Sequence, residues 1–161
     1  MDAITVLAQL VHANLYPMAL LLLVLALFTV RRKDALFTLF VSLAVLFFLL
    51  PAVKDFYGVP RACAGIAGCP ADSAFPSGHA AVAFVFVAAS IGLPVNFFFL
   101  AFAAFVAWSR LFLGVHTLDQ VVAGAALAFM VFFIADWLVA HLKERFGIKH
   151  LGEVIPGGVG A

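Results

Sequence analysis

The sequence predicts an all-α protein, an integral membrane bundle of about five transmembrane helices, six if a short N-terminal helix is counted. Three observations carry that prediction. The 161 residues are 66% hydrophobic and only 11% charged, with a mean hydropathy of +1.21, whereas a soluble domain is about half apolar and a quarter charged. The apolar residues fall into runs near the length a helix needs to cross a bilayer, roughly 17 to 25 residues. The polar residues gather where those runs stop. A net charge of +1 offers no basic patch for nucleic acid.

The first span is predicted from Asn14 to Val30, with Ala3 to His12 adding apolar length ahead of it and Asn14 and Pro17 marking a break. Asp2 stands where a signal peptide would be basic, and Arg31-Arg32-Lys33 follows the run directly, so this segment reads as a retained anchor. The second span covers Ala35 to Val53 and ends at Lys54. A polar loop with several Pro and Gly residues then runs from Asp55 to Pro76. The third span, Ser77 to Leu93, is short: Gly78 to Leu93 reaches about 24 Å at 1.5 Å per residue, against a hydrocarbon core of about 30 Å. Its alanines suit an interior helix closely packed by neighbours. The fourth span is Asn96 to Leu113 and the fifth Leu118 to Leu142. Residues 1–150 are expected to form one membrane-embedded domain, and 151–161, rich in Gly and containing Pro, a flexible tail.

Loop charges predict orientation. With five spans, Arg31-Arg32-Lys33 and the later group Lys143, Arg145 and Lys149 fall on one side, which the bias of basic loops assigns to the cytoplasm. Lys54, Ser77, Arg110 and His116 then all emerge on the extracytoplasmic face.

Ionisable groups are costly near lipid and tend to be functional there. Lys54, Arg61 and Arg110 supply fixed cations, and Ser77-Gly78 opens a helix whose free N–H groups and dipole favour an anion. Arginine forks match phosphate oxygens. Of two histidines, His79 and His116, one can attack phosphorus while the other protonates the leaving oxygen. The set describes a phosphoryl-transfer site without metal or other cofactor, in which side-chain cations stabilise the charge. A metal held by His79, His116 and Asp119 is disfavoured by the flanking cations. His12, His141 and His150 read as structural, and Asp136 with Trp137 as the approach to the inner interface.

These residues resemble the signature of the type 2 phosphatidic acid phosphatase superfamily, which includes lipid phosphatases and vanadium haloperoxidases. Its three parts are Lys-x6-Arg-Pro, Pro-Ser-Gly-His and Ser-Arg-x5-His-x3-Asp. Here the first runs from Lys54 to Arg61 with Ala62 in place of the final proline; the second is complete at Pro76 to His79; the third is complete from Ser109 through His116. The resemblance implies a helical bundle, usually of six spans. It also implies that His116 is the nucleophile forming a phosphohistidine and His79 the general acid. Lys54, Arg61, Arg110, the Ser77 hydroxyl and the Gly78 N–H would hold the phosphate. The family's orienting aspartate stands four residues after the nucleophile, where this chain has Gln120, with Asp119 one residue early. Positions i+3 and i+4 both lie beside residue i on a helix, so Asp119 is one candidate orienter of His116. The other is Gln120, with Thr117 to Gln120 forming a capping box. A His-x3-Gln pattern is similar to that of the dolichyl-diphosphatase-like branch.

Cys63 and Cys69, six apart in the outer loop, can form a disulfide on an oxidising face and so pin the loop carrying Arg61; free thiols are the alternative. The expected activity is hydrolysis of a membrane lipid phosphate or diphosphate at the outer face, foremost a polyprenyl diphosphate. Phosphatidic acid or phosphatidylglycerol phosphate is the alternative substrate. A non-catalytic phospholipid-binding protein and vanadate-dependent oxidation are the competing classes. The sequence carries no signal for oligomeric state.

Overall fold

The computed structural model describes residues 3–13, 15–30, 32–66 and 69–146, and six helices account for more than three quarters of them. They are α1 (Ala3–Ala13), α2 (Leu15–Thr29), α3 (Lys33–Tyr57), α4 (Gly78–Ala89), α5 (Asn96–Phe112) and α6 (Leu118–Phe146). Asn14, Arg31, Lys149, His150 and the expected tail 151–161 lie outside the described residues, as does the His12 side chain. Among the described residues there is no strand.

Among the described residues two helices, α3 and α6, are long and apolar enough to cross a bilayer unaided. Their 25 and 29 residues correspond to about 37 and 43 Å. They run antiparallel, and this fixes which polar groups share an end. At one end Lys143 meets Asp34, and the Thr38 hydroxyl donates to Asp136 Oδ1 at 3.2 Å. At the other end lie Lys54 near the close of α3 and Gln120 in the first turn of α6. Large apolar side chains face outward along the bundle, with Phe28 79% and Phe48 75% exposed. In water such a surface invites aggregation; against lipid it is solvated. The chain is a membrane helical bundle.

Helix α4 is the centre. Ala80, Ala81, Ala83 and Val85 through Ala89 are buried, and the helix packs against α6, α5, α3 and α2. Its small residues let neighbours approach, as an interior helix requires where hydrophobic collapse offers no drive. The closest approach is at Gly124 of α6: a Cβ there would lie 2.4 Å from the Ser77 carbonyl oxygen and 3.2 Å from Ala80 Cβ.

Several helix ends differ from the sequence expectation. Residues 3–13 form a separate helix, α1. Helix α3 continues past Lys54 to Tyr57, where Gly58 adopts the left-handed conformation (φ +57°) and its N–H donates to Lys54 O at 2.9 Å. A charge marks where the lipid stops, but the backbone stops where a glycine can reverse it. Helix α4 ends at Ala89 rather than Leu93. The Ser90 hydroxyl donates to Phe86 O at 2.8 Å, and Asn96 Nδ2 donates to Val87 O at 2.9 Å. These side chains serve the last carbonyls and release the chain into the turn at Gly92 (φ +81°). Helix α6 runs four residues beyond Leu142, to Phe146.

Candidate active site

Three chain reversals build the site, each at the same end of the bundle. The first follows α3. Gly58 turns the chain, and the loop returns across the end of the helix, with Ala74 N–H donating to Val59 O at 2.8 Å and Val59 N–H to Ser73 Oγ at 3.0 Å. Within it Cys63 and Cys69 are joined as a disulfide. The returning loop supplies acceptors to both cations. Lys54 Nζ donates to Asp72 Oδ2 at 2.5 Å and to Ser73 O at 2.7 Å. Arg61 donates through Nη2 to Asp72 Oδ1 at 2.7 Å and through Nε to Asp72 O at 3.1 Å. Burial alone would raise the Asp72 carboxyl, yet the hydrogen bonds from Lys54 and Arg61 hold it below the ordinary carboxylate value.

The second reversal leads into α4. Ser77 N–H donates to Gln120 O at 3.0 Å, so the start of α4 is seated on the first turn of α6. Ser77 is the N-cap residue but its hydroxyl makes no cap bond. Its Oγ is fully buried and has no hydrogen-bond partner. A buried hydroxyl so placed carries a desolvation cost that a ligand oxygen would relieve. Gly78 and His79 follow in the first turn, where N–H groups and the helix dipole favour an anion.

The third reversal joins α5 to α6. Gly114 takes φ +62°, and the N–H groups of Val115 and His116 both donate to Arg110 O, at 3.2 and 3.4 Å. This turn presents the His116 ring. The Arg110 guanidinium is fully buried, donating to Ser109 Oγ and, at 3.2 Å, to Ala8 O of α1.

The protonation of His116 follows from its neighbours. Gln120 Oε1 accepts the Thr117 backbone N–H at 3.1 Å, which identifies that atom as the amide oxygen. His116 Nδ1 lies 3.1 Å from the same oxygen, so Nδ1 must carry the hydrogen and donate. The lone pair is then on Nε2, where Arg61 Nη1 donates to it at 3.0 Å. Burial first, and the charge of Arg61 next, push the His116 imidazole down to about 4 against the raising effect of the Gln120 bond. The ring is neutral at ordinary pH, with its lone pair on Nε2.

His116 Nδ1 faces Gln120 rather than Asp119. The Asp119 carboxylate accepts from the Thr117 hydroxyl on an exposed edge of the helix start, while Gln120 is buried against the ring. The capping box accounts for this placement: Gln120 reaches back to the Thr117 N–H, and that turn of its side chain brings its oxygen to Nδ1.

An apolar cavity of about 870 Å³ opens along α2 and α3 and reaches these groups. Lys54, Arg61, Gly78, His79 and His116 line its polar end. Ser77 and Arg110 are buried and do not line it. Among the described residues no group of three His, Cys, Asp or Glu side chains is placed to hold a metal ion. Sequence reasoning missed Asp72 and Gly124. The only hint of the first is an acid in the loop that follows two cations, and of the second a glycine inside an otherwise good helix.

The profile of the PAP2 superfamily matches residues 35–143. No curated protein matches the chain. Two solved structures are similar in fold. The crystal structure of Aquifex aeolicus LpxE matches with a TM-score of 0.66 at 21% identity, over 84% of this chain and 86% of that one. The crystal structure of a transmembrane PAP2 type phosphatidylglycerolphosphate phosphatase from Bacillus subtilis matches with a TM-score of 0.61 at 23% identity, over 92% and 78%. With the matched span covering most of the chain and all three site segments, the protein belongs to the PAP2 superfamily and is a phosphatase-type hydrolase of the membrane.

Proposed function

We propose that the protein is a metal-independent lipid phosphatase that works through a phosphohistidine on His116, most readily on a polyprenyl diphosphate. The observation that carries this reading is the Gln120-fixed imidazole, with its Nε2 lone pair held at the polar end of an apolar cavity beside Lys54 and Arg61. In the first step Nε2 forms a bond to phosphorus and the bond from phosphorus to the leaving oxygen breaks, with His79 giving that oxygen a proton. In the second, His79 takes a proton from water as the water oxygen attacks the phosphohistidine, releasing inorganic phosphate and restoring both rings. Lys54, Arg61 and the Gly78 N–H hold the phosphoryl oxygens as charge develops, and the buried Ser77 hydroxyl and Arg110, which do not line the cavity, would join them as the site rearranges around the phosphate.

The cavity wall supports a lipid substrate: Leu15, Leu20, Leu23, Leu43 and Leu46 extend from the cations along α2 and α3. The His-x3-Gln pattern supports the diphosphate. Phosphatidylglycerol phosphate or phosphatidic acid is the second reading, favoured by the similarity to the Bacillus subtilis phosphatase. Residues 1–150 would act as one membrane-embedded phosphatase domain. Its site opens on the extracytoplasmic face, since Lys33, Lys143 and Arg145 cluster at the other end of α3 and α6.

Phosphate release by the purified protein, measured for each lipid with chelator present, tests the reading. Turnover without added metal, lost in His116→Ala with lipid binding retained, is expected. Activity that requires Mg²⁺, or a His116→Ala variant as active as the parent, would overturn it. Binding without turnover in the parent would instead identify a phospholipid-binding protein.

A further inference from the structure

We propose that Asp72 is a displaceable counter-ion that latches the resting site: it holds Lys54 and Arg61 and keeps Arg61 over the nucleophile until a phosphate takes its place. The inference rests on the reading of this end of the bundle as a phosphate site.

The geometry is specific. The two carboxylate oxygens of Asp72 are divided between the two cations, Oδ2 to Lys54 Nζ at 2.5 Å and Oδ1 to Arg61 Nη2 at 2.7 Å. Two phosphate oxygens would use the same donors in the same way. The cations themselves are largely buried, with Lys54 13% and Arg61 7% exposed, whereas Asp72 is 52% exposed. The carboxylate is therefore the member of the cluster that can leave for water at little cost, and its ion pairs are of the weak, solvent-screened kind. Asp72 borders the cavity with Lys54, Arg61 and His116.

The latch follows from how Arg61 spends its donors. Nη2 is engaged by the Asp72 carboxylate and Nε by the Asp72 backbone carbonyl, and this orientation carries Nη1 onto the Nε2 lone pair of His116 at 3.0 Å, with Val115 O at 3.3 Å. An attacking nitrogen must have phosphorus, not a guanidinium, at about 3 Å. Arg61 has to leave Nε2 before reaction, and of the acceptors that hold it there (the Asp72 carboxylate, the Asp72 backbone carbonyl and Val115 O) the carboxylate is the charged one that a phosphate can replace. An incoming phosphate that outcompetes the carboxylate for Lys54 and Arg61 removes the latch and supplies the electrophile in one exchange.

Inorganic phosphate binding to the detergent-purified chain reads this exchange without turnover. Asp72→Asn removes the competing charge while keeping an oxygen that accepts a hydrogen bond. The variant is expected to bind phosphate about three- to tenfold more tightly, to gain a larger rise in Tm from phosphate than the parent, and to show a KM for lipid phosphate lowered by a similar factor. Asp72→Glu, which retains the charge, should stay within about twofold of the parent. Unchanged or weaker phosphate binding in Asp72→Asn would overturn the proposal and make Asp72 a fixed support of the loop. A variant that folds only with phosphate present also fits, since the anion replaces the missing carboxylate. One that stays unfolded at every phosphate concentration contradicts it. If the exchange holds but no lipid is hydrolysed by the parent, the phosphatase reading fails and the latch stands.

Discussion

Gln120 joins two of the three site segments through a single residue. Its backbone carbonyl accepts Ser77 N–H, and its side-chain oxygen accepts both Thr117 N–H and His116 Nδ1–H. Replacing it with alanine removes the side-chain acceptor and leaves the His116 tautomer unspecified. We expect a loss in kcat on the order of 10²-fold, in the manner of other orienting residues, and about 1–3 kcal/mol of stability from the donors left unpaired. Gln120→Asp asks a finer question. With glutamine, His116 takes a proton only near pH 4, so its protonation does not limit the rate in neutral solution. A carboxylate at 120 favours the imidazolium and raises that value. Because the nucleophile must be neutral, the acid limb of kcat/KM should move to higher pH in the variant, and the substrate's own ionisation cancels in the comparison. An unmoved limb would separate position 120 from the ring. Asp119→Asn, on the exposed edge, should leave the profile where it is. The choice between Asp119 and Gln120 was not legible from spacing, because i+3 and i+4 are neighbours on a helix; it needed the direction in which the capping side chain turns.

At the scale of elements, the contact of α4 with α6 and the disulfide loop set the positions of the groups proposed to bind phosphate. Gly124 lets the start of α4 lie against α6, and a methyl group there meets the Ser77 carbonyl at 2.4 Å. Gly124→Ala should therefore cost about 1–3 kcal/mol as overpacking and lower kcat as Ser77 and Gly78 are pushed from His116; thermal unfolding and steady-state kinetics measure both. A full-strength variant with unchanged Tm would show that the two helices part freely. The Cys63–Cys69 bond closes a small ring between Arg61 and Asp72, and replacing both cysteines with serine should remove about 2 kcal/mol and raise KM more than it lowers kcat. Helix identity was readable from apolar runs and helix ends less so. Lys54 looks like a terminus, but Gly58 is the residue that stops α3. Asp72 was illegible for a related reason: its partners lie 18 and 11 residues earlier, and only the folded loop brings it back to them.

Across the whole molecule, the bundle couples an apolar cavity in its flank to a charged pocket at its end. Membrane character and the three site segments were legible because polar residues are expensive in such a chain and stand out where apolar runs stop. The cavity was not, since its walls are drawn from the same leucines that elsewhere face lipid, and only packing distinguishes them. Filling it tests its role. Leu43→Trp should raise KM for a long-chain lipid phosphate about tenfold or more while a short water-soluble phosphate ester is hydrolysed as before; equal effects on both would point to a folding defect instead. The most direct test concerns the covalent step on which the whole reading depends. The protein is mixed with lipid carrying a ³²P-labelled terminal phosphate and quenched in alkali within a single turnover. Label on His116, stable to base, lost in acid and absent from His116→Ala, is the predicted result. Full turnover with no label on His116 at any quench time, and with single-step inversion at phosphorus, would contradict it.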